Sequence, residues 1–428
     1  MIVLSNLGKT STLDEMKTGK FKPSELGHIP AEWEVKSLGE LWDDFRTGPF
    51  GSALHAQDYV TGGTPLINPM HIQDGRICPT SDMSVDKVTE QRLSIYRLSK
   101  DDIIIGRRGE MGRAALVGEE EAGWLCGTGC FFLRMKDVMS PDFVTRYLRT
   151  STCISVLEGE AVGTTLVNLN QTILGRVNVP VPPLPEQRKI AAALSDVDEM
   201  IAALEKLIEK KRKIKTGAMQ RLLTGKTRLP GFKGAWVEKR LGDYSTMFAG
   251  GTPSSKVPNY YGGEIPWVSI SDISVAGKYL GKTENTITEE GLKNSSAKWY
   301  PPNALLFAMY ASIGKCCIAR ESVTSSQAIL GIYDLREFDL DFLYYTLSHR
   351  NEEFLAMGQT GTQANLSKEI VANIIIRIPP TLAEQKAIAK VLGDMDEEIA
   401  AQEAELAKTR QLKQGMMQEL LTGRVRLV

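Results

Sequence analysis

The stretch PEQRKIAAALSDVDEMIAALEKLIEKKRKIKTGAMQRLLTGKTRL, Pro185–Leu229, is written a second time further along the 428-residue chain. EQKAIAKVLGDMDEEIAAQEAELAKTRQLKQGMMQELLTGRVRL, beginning at Glu384, aligns with Glu186–Leu229 without a gap at an offset of 198 (384 − 186), and 24 of the 44 aligned residues are identical. Two unrelated amphipathic helices would share apolar spacing. They would not share Glu186/Glu384, Gln187/Gln385, Asp196/Asp394 and a closing Leu-Leu-Thr-Gly. The chain is a duplication, and such a period has to be settled before any local assignment.

Both copies read as long helices. Val-Pro-Pro-Leu-Pro ahead of Glu186 puts Pro185 at a helix start, where its missing N–H costs nothing. Thr381-Leu382-Ala383-Glu384 has capping-box form, and Gly225 and Gly423 stand where a left-handed C-terminal residue is wanted. Ile190, Leu194, Val197, Ile201, Leu204 and Ile208 recur at steps of four and three, a heptad seam. The second copy reads Ile388, Leu392, Met395, Ile399, Gln402 and Leu406. About 40 residues at ~1.5 Å each make a rod of about 60 Å, too thin to be stable alone. Each seam finds its mate in the other copy, an intramolecular coiled coil.

The repeat extends beyond the rods. Trp33 matches Trp236 and Leu38-Gly39 matches Leu241-Gly242 at an offset of 203; Pro65 matches Pro266 at 201, Gly112 matches Gly314 at 202, and Asp142-Phe143 matches Asp341-Phe342 at 199. The drift places short insertions in loops. Strand-like runs at Ile103–Ile105, Phe131–Leu133 and Val177–Val181, and at Leu305–Phe307, Ile329–Ile332 and Ile374–Ile378, lie among Gly, Pro, Asn and Ser turns. Short helical patterns, DFVTRYL and DFLYYTL, add a minority of helix. The expected architecture is α+β: leader 1–22, globular head 23–182, central helix 183–229, second head 230–380 and C-terminal helix 381–428.

Composition narrows the function classes. At 42% hydrophobic and 24% charged, the chain is an ordinary globular one with material for two to three domains. No window approaches 18 uninterrupted apolar residues, and the start MIVLSNLGKTSTLDEMK has no secretory pattern, so a cytoplasmic protein with no membrane partner is expected. The cysteines at 78, 126, 130, 153, 316 and 317 form no CxxC pair and do not cluster with the histidines, so reduced thiols rather than a metal site are expected. Three GKT tripeptides, at Gly8, Gly225 and Gly281, lack the glycine a phosphate loop needs five positions earlier; Val3, Gln220 and Ala276 stand there. Pro301-Pro302 is flanked by Tyr300 and Asn303, which is not an amino-methyltransferase motif, and no Gly-x-Gly-x-x-Gly occurs. A chain without catalysis is the expectation.

Two similar heads at a fixed separation suit a target with two spaced sites, and tandem ligand binders and scaffolds share that logic. Ser24–Leu41 (SELGHIPAEWEVKSLGEL), Gly48–Ile67, Gly250–Ile273, GTQANLS at Gly361–Ser367 and the two helix starts carry a resemblance. From about residue 22 onward the chain resembles the specificity subunit of type I restriction–modification systems. The resemblance implies that each head is a target-recognition domain for one half of a split double-stranded DNA sequence. It also implies that the helices form an antiparallel coiled coil that sets the spacing and docks two modification (methyltransferase) subunits, with restriction (translocase/nuclease) subunits joining the complex. S-adenosylmethionine, ATP and Mg would belong to those partners, and this chain would hold no cofactor. The other readings are a two-headed scaffold for proteins and a recognition subunit of another restriction class.

Within that reading, Arg107, Arg108 and Arg113 follow a strand and can fork onto guanine or phosphate. The matching loop has Met309, Tyr310 and Lys315, a divergence that two heads reading different half-sites would require. Thr252, Ser254 and Lys256 suit phosphate contacts, and Thr164, Thr165, Asn168, Thr362, Gln363 and Asn365 offer donors and acceptors. Solvated loop charges, a plain turn and helix or strand caps are the ordinary alternatives. Lys210–Lys213 with Lys215 reads first as a solvated helix face. Met219, Leu222, Leu223, Met416, Met417, Leu420 and Leu421, near the rod ends, are candidates for docking the modification subunits. A formal charge of −1 departs from the basic footprint of DNA-binding proteins and predicts weak DNA binding by the chain alone.

Overall fold

The computed structural model describes residues 20–50, 53–160, 169–358 and 365–428. Its principal elements are β1 (Trp42–Thr47), β2 (Ile103–Gly106), β3 (Ala114–Leu116), β4 (Cys130–Met135), α1 (Pro141–Leu148) and α2 (Leu184–Leu222). They recur as β5 (Thr246–Ala249), β6 (Ala304–Ala308), β7 (Cys316–Ala319), β8 (Ile329–Tyr333), α3 (Leu340–His349) and α4 (Leu382–Leu420). The chain divides into two units, Met1–Leu204 with Glu405–Val428, and Glu205–Ala404. Each long helix thus gives one part to each unit. The expected leader, up to residue 19, lies outside the described residues; Phe21–Ser24 already pairs with Gly27–Pro30 as a hairpin.

In the first unit the sheet order is β3-β2-β4-β1, all antiparallel, and in the second it is β7-β6-β8-β5. The central strands are apolar along their whole length because both faces are covered. Alternation sorts Ile103, Ile105, Phe131 and Leu133 into a core with α1 and the start of α2, while Ile104, Phe132, Ala115 and Cys130 face a second core. The second unit divides the same way. Leu305, Phe307, Leu330 and Ile332 face α3 and α4, and Leu306, Ala308, Cys317 and Ile329 pack around the fully buried Tyr300. Tyr300 stacks on Phe248 with centroids 4.5 Å apart and bonds Ser325 Oγ at 3.1 Å, so the Tyr-Pro-Pro-Asn stretch is core structure.

The repeated Glu-Gln at each helix start is a staple. In the first unit, Glu34–Ser37 pairs antiparallel with Asn178–Val181, bringing both ends of the head to the root of α2. Buried Gln187 accepts the Ser140 N–H at 2.8 Å and donates to the carbonyls of Val138 and Pro182 at 3.1 and 2.8 Å, fixing the turn that starts α1. Glu186 accepts from Trp33 Nε1 at 3.0 Å and from Arg426 Nε and Nη2 at 2.5 and 2.8 Å. In the second unit, Gln385 accepts the Asp339 N–H at 2.8 Å and donates to Glu337 O at 2.9 Å, and Glu384 accepts from Arg228 at 2.5 and 2.6 Å. The Thr381 hydroxyl caps the Glu384 N–H at 3.3 Å, but the Glu384 carboxylate goes to Arg228, so the expected capping box is half made. Gly225 and Gly423 take left-handed φ of 72° and 74°, as their sequence positions require.

The staples differ in one donor. Trp236 Nε1 is buried without a hydrogen-bond partner among the described residues, whereas its counterpart Trp33 has Glu186. Phenylalanine at either position leaves a similar gap, so the difference isolates the hydrogen bond. Trp33→Phe is expected to cost about 1–2 kcal/mol more than Trp236→Phe. Equal losses, read by hydrogen exchange in β2 and β4 for Trp33→Phe and in β6 and β8 for Trp236→Phe, would contradict this.

Helix pairing is antiparallel within each unit, since numbers rise on one helix as they fall on the other. In the first unit Asp198 holds Lys413 at 2.6 Å and Arg146 at 2.7 Å. In the second, Asp396 holds Lys215 and accepts from Tyr345 OH at 2.8 Å, beside Lys211–Glu398 at 2.6 Å and Arg212–Glu403 at 2.5 Å. The basic run of α2 is therefore largely spent on ion pairs with α4. Among seam residues, Ile201, Ile208 and Ile399 are buried and Val197, Leu204, Met395 and Leu406 half-buried. Ile190 and Leu194 belong to the first unit's core with Leu420 and Leu421; Ile388 and Leu392 belong to the second unit's core with Leu222 and Leu223. This overturns the expectation that those four leucines offer a docking surface, because they are 0–7% exposed.

Candidate nucleic-acid interface

At one end of each four-stranded sheet, loops that are distant in sequence are laced together by backbone hydrogen bonds. In the first unit Gly48 N–H bonds Cys130 O at 3.0 Å, Arg107 N–H bonds Gly129 O at 2.9 Å, and Leu169 N–H bonds Arg107 O at 2.9 Å. The second unit repeats the lacing: Gly250 N–H to Ile329 O at 3.0 Å, Met309 N–H to Ala328 O at 2.9 Å, and Leu366 N–H to Met309 O at 2.9 Å. Glycine is needed where these loops touch. A Cβ on Gly48 would collide with the Gly127 carbonyl, and one on Gly250 with Ser325 and Ser326. Gly112 and Gly314 hold left-handed φ of 78° and 80° at the turns after β2 and β6.

Side chains on this shared frame differ between the units. Arg107, expected from the sequence to fork onto guanine or phosphate, is 8% exposed, its guanidinium lying 5.4 Å from the ring centroids of both Phe50 and Phe131. Burial, then the neighbouring charge of Arg108, lowers its pKa from the usual arginine value. The guanidinium thus lies against both rings. Arg108 projects into solvent. Arg113 is tied down, donating to Pro69 O at 3.0 Å and pairing with Glu110 at 2.9 Å. In the second unit Tyr310 takes the place of Arg108 and bridges to Asn365, and Lys315 Nζ donates to Ser274 O at 3.3 Å.

Thr252, Ser254 and Lys256 are exposed on a loop whose backbone is fixed from beneath. Trp267 Nε1 donates to Gly251 O at 3.0 Å and Tyr261 OH to Pro253 O at 2.6 Å. Thr164, Thr165, Asn168, Thr362 and Gln363 lie outside the described residues, although Leu169 and Asn365, which follow those stretches, sit beside the loops after β2 and β6. Sequence reading passed over Phe50 and Met70, 57% and 51% exposed on these loops. For Phe50 a signal existed, an aromatic set between glycines in Gly48-Pro49-Phe50-Gly51; for Met70 there was none.

No group of three or more His, Cys, Asp or Glu among the described residues is placed to hold a metal. All six cysteines are unpaired, and burial pushes Cys153, Cys316 and Cys317 up to about 12. No described helix is long and apolar enough to cross a membrane.

The model of the type I restriction modification DNA specificity domain matches residues 30–216 and again 233–409. A putative type I restriction enzyme MjaX specificity subunit from Methanocaldococcus jannaschii is 28% identical over 433 residues, covering 96% of this chain and 98% of the relative. The type I restriction enzyme MjaVIII specificity subunit of the same organism is 25% identical, covering 96% and 97%. The solved structure of a type I restriction-modification S subunit from M. genitalium superposes with a TM-score of 0.59 at 18% identity, over 94% of this chain and 98% of that one, a likeness of fold.

Proposed function

The chain belongs to the type I restriction modification DNA specificity family, both of its halves matching the family model, and from that premise we propose how it recognises a target. Each head reads one half of a bipartite double-stranded DNA sequence. The laced loops do the reading, with Arg108 in one head and Tyr310, Thr252, Ser254 and Lys256 in the other among the contacts. The observation that carries this is a shared backbone frame with exchanged side chains: Arg107, Arg108 and Arg113 against Met309, Tyr310 and Lys315. A scaffold gripping one kind of partner twice would gain nothing from that exchange.

The long helices keep the half-sites at a fixed separation and dock two modification subunits, which carry out adenine methylation with S-adenosylmethionine; restriction subunits join through the complex. This chain supplies recognition and no chemistry. Methylation mapping in cells that carry the complex tests the reading. A discrete split sequence is expected, and Arg108→Ala should relax bases in one half only, by about 1–3 kcal/mol of discrimination. Methylation at no discrete sequence would favour the protein scaffold.

The spacing role makes its own forecast. Adding one heptad to the seam of each helix lengthens it by about 10 Å, close to three base pairs. The mapped spacer should grow by about that much, with both half-sites unchanged. Altered half-site bases would rule out the ruler.

A further inference from the structure

Arg149 follows α1 in the first unit, and among the described residues its guanidinium makes no hydrogen bond and no ion pair. It lines a cleft of about 330 Å³ with Gln73, Gly75, Gly112 and Arg113, so the cleft opens along the same loop that carries Arg108. The turn opposite it is shaped to admit the guanidinium. Asp74 and Gly75 both adopt left-handed φ, of 48° and 80°, between the short strands Ile72–Gln73 and Arg76–Ile77. A Cβ on Gly75 would collide with the Arg149 head group. The site is thus a fork of donors held between a tight turn and the end of a helix.

The surrounding acids are mostly engaged elsewhere. Asp142 pairs with Arg146 at 2.8 Å, Asp198 is shared by Arg146 and Lys413, and Glu110 pairs with Arg113. Among the described residues, Asp74, exposed at the turn, carries a nearby charge and has no ion pair. Arg149 is half-buried, and desolvation lowers its pKa. The guanidinium therefore keeps donors free toward the cleft, where the oxygens of a ligand could take them up. The matching position in the second unit, at the offset of 199 that aligns Asp142 with Asp341, is Ser348. The corresponding cleft there, about 220 Å³, is lined by Lys315, Cys316, Tyr344 and Ser348.

We propose that the Arg149 cleft takes a phosphate of the DNA backbone, giving the first head an anchoring contact that the second head lacks. This rests on the DNA-recognition reading above. A forked guanidinium beside a base-reading loop fixes register on the duplex without carrying sequence information.

The test uses the full chain and fluorescein-labelled 30-bp duplexes of two unrelated sequences, titrated by anisotropy across a series of low NaCl concentrations. Arg149→Gln is expected to weaken binding about tenfold on both duplexes and to reduce the slope of log K against log [NaCl] by about one, with Arg149→Lys recovering much of the slope. Thermal unfolding of each variant separates this from loss of fold. An unchanged slope in a folded Arg149→Gln chain overturns the proposal. So does a small-anion result, in which inorganic phosphate at matched ionic strength protects the parent but not Arg149→Gln while the DNA slope stays the same. Failure of the parent to bind either duplex, alone or with its modification subunits, would instead remove the recognition reading itself.

Discussion

Glu186→Ala is expected to cost the first unit about 3–5 kcal/mol, the range found when one partner of a buried pair is removed and the other left behind. Glu186 is 4% exposed and receives three hydrogen bonds, one from the Trp33 indole and two from Arg426. Alanine strands both donors, and Arg426 keeps its pair with Glu32, at 3.0 Å on the outer side. Because the chain has two units, a single unfolding midpoint would mix them. Hydrogen exchange in β2 and β4 reports the first unit, and β6 and β8 serve as the internal control. Arg426→Ala should be nearly as damaging, and the double variant should cost clearly less than the sum. A loss below about 0.5 kcal/mol in Glu186→Ala would mean that the staple does not hold the head.

Gly112→Val is expected to remove recognition by the first head. A β-branched residue at a left-handed φ of 78° is strained, and its Cβ would meet the Ile154 side chain. Strain and collision together are expected to cost about 2–4 kcal/mol. The turn that aims Arg108 would be re-formed. Mapped methylation should then lose one half-site while the other stays specific, and Gly314→Val, which would press on Asn351 Oδ1 at 2.5 Å and Phe354 at 3.0 Å, should do the reverse. Loss of both halves from either single change would show that the two loops do not act separately.

Much of the architecture was legible in the residues because a duplication checks itself. Prolines and capping residues marked where both helices start, whereas the expected ends at 229 and 428 overran helices that stop at Leu222 and Leu420; the paired offsets pointed to two similar heads before any strand was placed. The split of each sheet between two cores was not legible. Ile103-Ile104-Ile105 and Leu305-Leu306-Phe307 are apolar without alternation, and such a run does not say what lies on either face. Leu222, Leu223, Leu420 and Leu421 were misread for a related reason. A heptad pattern reveals that a helix has an apolar side, but whether a head or a partner covers its end depends on long-range packing.

The candidate site was legible as a stretch of loop more than as side-chain placements. The loop after β2 was found through its arginines, yet Arg107 turned inward beneath Phe50, since a guanidinium can serve as a platform as well as a reader. Arg149 gave no signal at all. It is one arginine at the end of a short helix, and its meaning comes from a turn more than seventy positions earlier (149 − 75 = 74).

The first unit is discontinuous, built from residues up to Leu204 together with Glu405–Val428, while the second is one uninterrupted segment. On a ribosome the two therefore mature out of order. Glu205–Ala404 emerges whole and can close upon itself, while the earlier-made head waits for Leu420, Leu421 and Arg426 to complete its base. At about 5–20 residues per second, those 200 intervening residues take roughly 10–40 s. During that interval the root of the first head is apolar surface still without its cover.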